Sequence, residues 1–122
     1  MNGIRAASYY EYAKKLCEQY SFCVKKYRLC VAEKRYIGIS RTDFIALKED
    51  LMFLKNCMKT VVKDYNEYFT DRFVHGQSIR KYASAHNINR GSVDYLQRKF
   101  FTALAQVLQE RDMTEGKSRL VG

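Results

Sequence analysis

The sequence predicts an all-α protein: two long N-terminal helices followed by a shorter pair of helices around a tight turn. Three observations predict it. None of the 122 residues is proline, so nothing fixes φ or removes a backbone donor inside a helix. Apolar residues recur at steps of three and four over most of the chain, the period of one buried helix face. Small polar residues that cap helices stand where those stripes begin.

The first element is expected over about Ile4 to Arg35. Tyr9, Leu16, Cys23 and Cys30 repeat every seven residues, and Ala13, Tyr20, Tyr27 and Lys34 form a second row four residues on. Together they make one stripe, which Lys34 breaks near its end. Gly38 is the expected turn residue. The second element starts at the N-cap Ser40, with Asp43 in its first turn. Its stripe runs through Phe44, Leu47, Leu51, Leu54, Met58, Val61, Tyr65 and Tyr68, and Cys57, Val62 and Phe69 widen it. It should end near Val74, with Gly76 as the C-terminal cap. Two helices of ~30 residues would each be ~45 Å long, able to pair within one chain or across a dimer. Residues 1–75 are thus expected to form a helical hairpin for oligomerisation or partner binding. Residues 76–113 form the shorter pair, and 114–122 a disordered tail.

Composition narrows the function. The net charge is +9. Residues 1–71 carry 13 Lys/Arg against 9 Asp/Glu, and residues 72–122 carry 9 against 4, so the C-terminal part is the more densely basic. Such a domain calls for an acidic partner, nucleic acid first. The four cysteines, at 17, 23, 30 and 57, include no Cys-x-x-Cys pair, and the histidines, His75 and His86, lie far from them. Buried reduced thiols in a cytoplasmic protein are expected, with no metal site and no cofactor. No apolar run reaches the ~20 residues of a membrane helix, and the N-terminus lacks the apolar segment of a signal peptide. No Gly-rich phosphate loop or nucleophile–histidine set is present, and Glu49-Asp50 reads as part of a charged helix face, so no enzymatic activity is expected.

The most informative stretch is Ser78 to Phe101. Ser78 can cap a short helix with Ile79, Tyr82 and Ala83 inward, Ala83 being small enough to let a second helix cross closely. Asn87 tolerates the left-handed conformation of a sharp turn. Ile88 is the expected apolar plug beneath it, and Asn89 caps the next helix. Val93, Leu96 and Phe100 return to the core. This is the pattern of a DNA-binding helix-turn-helix. Its second helix would read the major groove with Asn89, Arg90, Gly91, Ser92, Asp94, Tyr95, Gln97 and Arg98, while Arg80 and Lys81 grip backbone. Arg90 and Arg98 suit guanine or phosphate, Ser92 and Gln97 hydrogen-bond either, Tyr95 suits a thymine methyl or a sugar, and Gly91 permits close approach.

These residues resemble region four of bacterial sigma factors and related phage regulators. Ile79, Tyr82 and Ala83 stand for the first helix of that family, Asn87-Ile88-Asn89 for its turn, Arg90, Val93 and Leu96 for its second helix, and Phe100, Phe101 and Leu104 for its later apolar positions. The resemblance covers about 30 residues, a quarter of the chain. His86 and Tyr82 replace the family's leucine and isoleucine, and residues 1–76 do not resemble a sigma factor's polymerase-binding region. With a helical N-terminal part, the chain is similar to the ArpU/RinA-type late-gene activators of phages and mobile elements. That resemblance implies a transcription regulator that binds double-stranded DNA, with RNA polymerase and a second copy of the chain as further candidate partners. Two other readings share these features: a DNA-recognition subunit like a phage small terminase, and a protein-binding inhibitor built on the same scaffold.

Overall fold

A computed structural model describes residues 6–116, which form helices and turns with no sheet among them. Six α-helices follow one another: α1 Tyr9–Glu18, α2 Tyr20–Glu33, α3 Arg41–Lys59, α4 Asn66–Phe69, α5 Ile79–Ala85 and α6 Arg90–Glu115. A short 3-10 turn, Lys63–Tyr65, precedes α4, and a π-turn, Thr70–Val74, follows it. The all-α expectation holds, but neither long N-terminal helix is continuous.

The first breaks at Gln19, whose backbone (φ −99°, ψ 4°) serves as C-cap of α1 and N-cap of α2. The heptad stripe explains why. Leu16 enters the main core, whereas Cys23 and Cys30 enter a second, smaller cluster with Ile39 and Leu47. One straight stripe cannot face both, and the break at Gln19 re-aims it. Beyond the break, Tyr20 packs edge-on against Phe69 at 5.0 Å, and Ser21 Oγ donates to the Phe73 carbonyl at 2.9 Å. Helix α2 ends in a left-handed Lys34 (φ 55°). Gly38 is also left-handed, and a Cβ there would meet Lys26 Nζ at 2.8 Å.

The second expected helix stops at Lys59. Ser40 caps it as expected, its hydroxyl accepting from the Asp43 N–H. At Thr60 the backbone leaves the helix (φ −128°, ψ −93°), and the Val62 N–H reaches back five residues to the Cys57 carbonyl. This slip of one residue moves the stripe. Val61, expected inward, is exposed, whereas Val62, expected at the edge of the same stripe, is buried. Past the slip, Tyr68, Phe69 and Phe73 fill the core. The π-turn then ends in Gly76 (φ 74°), which lets the Gln77 N–H close on the Asp71 carbonyl.

The main core runs from Ala6 to Leu108, so parts of the expected hairpin and the C-terminal pair share one interior. Helix α1 packs along α6, α2 along α3, and α5 against the start of α6. Thr114 and Glu115 belong to α6, with Gly116 as its left-handed cap; the rest of the expected tail, 117–122, and the expected helix start at Ile4 lie outside the described residues.

Asp50 departs from expectation. It is 4% exposed and belongs to a polar cluster inside the apolar interior. Arg111 Nη1 lies 2.9 Å from Asp50 Oδ1, and its other guanidinium nitrogens reach Asp112 at 3.0 Å. Tyr12 donates to Asp50 Oδ2 at 2.7 Å, and Tyr9 donates to Asp112 Oδ2 at 3.0 Å. The guanidinium lies over the Phe53 ring at 4.8 Å. Helices α1, α3 and α6 meet through these groups. The spacing of Asp50 places it beside Leu47, Leu51 and Leu54, but no periodicity reveals a buried charge whose partner is 61 residues away.

All four cysteines are unpaired and buried. Burial raises the thiols of Cys17 and Cys57, and pushes that of Cys23 up to about 11. Iodoacetamide at about pH 8 is therefore expected to leave Cys17, Cys23 and Cys57 unmodified in the native protein and to label them in urea, because only the thiolate reacts. The neutral forms of these three thiols are favoured in the fold. The stability Cys23 gives in this way is fully present below the ordinary thiol pKa and is lost as pH climbs toward about 11. Rapid native labelling at these three positions would contradict the packing.

Candidate nucleic-acid interface

The Ser78 hydroxyl accepts from the Lys81 N–H at 3.1 Å and starts α5. Tyr82 and Ala83 on its inner face are buried, and Ile79 is half-buried. The chain turns over residues 86–89. Asn87 adopts φ 55°, the left-handed conformation its side chain tolerates, and the Ile88 N–H closes on the Ala83 carbonyl at 3.0 Å. The Asn89 side chain accepts from the Ser92 N–H at 2.8 Å and opens α6. Val93 and Phe100 are fully buried and Leu96 is half-buried.

Ile88 corrects the sequence reading. It is 40% exposed and does not plug the turn. The buried ring of Tyr82 stacks on His86 at 4.1 Å and meets Tyr68 edge-on at 5.1 Å. His86 is half-buried, and its ring nitrogens face two carboxylates, Nε2 toward Asp71 at 3.4 Å and Nδ1 toward Glu67 at 3.8 Å. Ligand atoms of Glu67, Asp71 and His86 lie within 4.8 Å of one another, a spacing that could hold a metal ion, and the histidine contacts tie the turn to α4 and the π-turn.

Seven of the ten residues expected at the interface stand together on the exposed rim of α6 and the adjoining turn or on α5. Arg90, Gly91, Ser92, Tyr95 and Arg98 are exposed, as are Arg80 and Lys81. Asn89 is exposed but spends its side-chain oxygen on the cap, and Asp94 is half-buried. Gln97 is the exception. Its Oε1 accepts from Tyr68 Oη at 2.9 Å and from Arg72 at 2.8 Å, so the residue fastens α6 to its support. Arg72 also donates to the Gln77 carbonyl and lies 4.8 Å over the Phe73 ring. Burial raises the pKa of Tyr68, with Arg72 acting in the opposite sense, and burial also raises that of Tyr82, helped by Glu67 and Asp71.

Two residues escaped the sequence reading. Arg72 carries no sequence signal, since it sits in what reads as the end of a helix. Lys99 does carry one. It lies four residues after Tyr95, and its Nζ stands 5.3 Å over that ring, beside a groove lined by Tyr65 and Arg98. Among the described residues, none of Arg80, Lys81, Arg90, Arg98 and Lys99 pairs with a carboxylate. Their charge is directed at solvent and at whatever approaches α6.

Comparison with protein-family models, curated proteins and solved structures finds no match. The chain is an all-α protein with an exposed basic helix N-terminus, and among the described residues no helix is long and apolar enough to cross a membrane.

Proposed function

We propose that the chain is a small sequence-specific DNA-binding protein of the helix-turn-helix class that regulates transcription, reading the major groove with the first two turns of α6. The observation that carries this reading is the free, Asn89-capped start of α6, flanked by five cations without carboxylate partners. A helix N-terminus favours phosphate through its unpaired N–H groups and dipole. Arginine at that end can take guanine O6 and N7 bidentately. The small Ala83, the left-handed Asn87 and the buried Val93 support this reading, because such a motif uses a close, sharply turned helix pair. The resemblance to sigma region four and to phage regulators rests on these same positions and makes RNA polymerase a further candidate partner. Four reduced, buried thiols suit a reducing cytoplasm. The reading assigns the protein binding and no chemical step.

Selection of bound duplexes from a random pool tests it. The wild-type chain is expected to enrich one motif. Arg90→Ala should weaken binding to that motif by about 1–3 kcal/mol, or roughly 5- to 150-fold, and relax preference at one base position. A pool that enriches no motif would overturn sequence-specific binding. Unchanged selectivity in Arg90→Ala would remove this helix as the reader.

A further inference from the structure

We infer that the outer face of the α2–α3 hairpin docks an acidic amphipathic helix of a partner protein. A groove of about 210 Å³ runs between the two helices. Val24, Leu51 and Met52 give it an apolar floor, and Arg28, Lys48 and Lys55 surround that floor. The apolar surface continues past the groove. Met52 is 63% exposed, and Ile45, seven residues earlier on the same face of α3, is 44% exposed. Val31, seven residues on from Val24 along α2, is 53% exposed. Single exposed apolar residues are ordinary. These fall on facing stripes of two paired helices, and the stripe from Ile45 to Lys55 is about 15 Å long, the span of nearly three helical turns.

The charges select the occupant. Among the described residues, no carboxylate pairs with Arg28, Lys48 or Lys55. A helix with carboxylates flanking an apolar stripe would meet cations at the rim and Met52 at the centre. Met52 suits this role because an unbranched thioether side chain adapts to the residue set against it. A second copy of this chain would bring a net charge of +9 against the same rim. A nucleic acid would use the cations and leave the apolar floor wet. The hairpin also has its own small core, Cys23, Cys30, Ile39 and Leu47, apart from the one that supports α5 and α6. The inference therefore stands independently of the DNA-binding reading.

Two fluorescein-labelled peptides of the same Glu, Leu and Ala content, about 16 residues long, provide the probe, one ordered to form an amphipathic helix and one scrambled. Anisotropy with the full chain at about 50 mM salt is expected to give at least about tenfold tighter binding of the ordered peptide. Met52→Glu, and separately Lys48→Glu with Lys55→Glu, should each remove about tenfold or more of that affinity, and Arg90→Ala should remove none. Circular dichroism melting of each variant checks that the fold survives these surface changes. Equal binding of the two peptides, no binding of either, or wild-type affinity in Met52→Glu would overturn the proposal. So would displacement of the peptide by a DNA oligonucleotide, or a concentration-dependent dimer that Met52→Glu abolishes, which would assign the face to nucleic acid or to a second copy.

Discussion

Arg111→Ala is expected to destabilise the protein by about 3–5 kcal/mol, the range for removing one partner of a buried ion pair. The substitution leaves Asp50 and Asp112 inside the fold, 4% and 1% exposed, without the guanidinium between them. Tyr9 still donates one hydrogen bond to Asp112, which satisfies a lone pair but does not neutralise that buried carboxylate. The lost packing over Phe53 adds to the effect. In thermal unfolding the midpoint should fall by roughly 10–25 °C for a domain of this size. Urea titration, read at unchanged slope, gives the free energy directly. A loss below about 1 kcal/mol, the scale of an exposed pair, would mean that water reaches these charges.

Binding to DNA should show a steep dependence on salt. Arg80, Lys81, Arg90, Arg98 and Lys99 are all exposed on α5 and the adjoining part of α6. If each neutralises one phosphate, log affinity should fall against log salt with a slope of about −4.5, or roughly 500-fold between about 50 and 200 mM. Replacing Lys99 by alanine should flatten the slope by about one unit without altering the selected motif. Arg90→Ala should alter the motif. A slope near zero would exclude a phosphate-tracking surface, whatever the affinity.

The parts of this fold that were legible in the sequence are those fixed by local chemistry. Ser40, Ser78 and Asn89 each accept the backbone N–H that a cap should accept. Asn87 and Gly38 adopt positive φ, which asparagine tolerates and glycine, lacking a side chain, adopts freely. Tyr82, Ala83, Val93 and Phe100 are buried where the period of three and four places them. What was not legible depends on distant partners. The stripe from Tyr9 to Cys30 reads as one helix because periodicity does not say that Leu16 and Cys23 will face different clusters. The slip at Thr60 leaves the residue types unchanged and turns Val61 outward while Val62 stays buried. Ile88 stays 40% exposed, and Gln97 is held by an arginine 25 residues away. The buried charges of Asp50 and Arg111 look, in sequence, like any pair of solvated residues.

Helix α6 is 26 residues long. Its first turns carry the exposed Arg90 and Tyr95, while Phe100, Phe101, Leu104 and Leu108 pack in the main core alongside residues of α1. The α5–α6 pair is therefore not a transplantable cassette. A fragment starting at Gln77 would strip α1 from those four side chains and expose them to water. Grafting this turn onto another scaffold would require a replacement for α1 before any groove could be read.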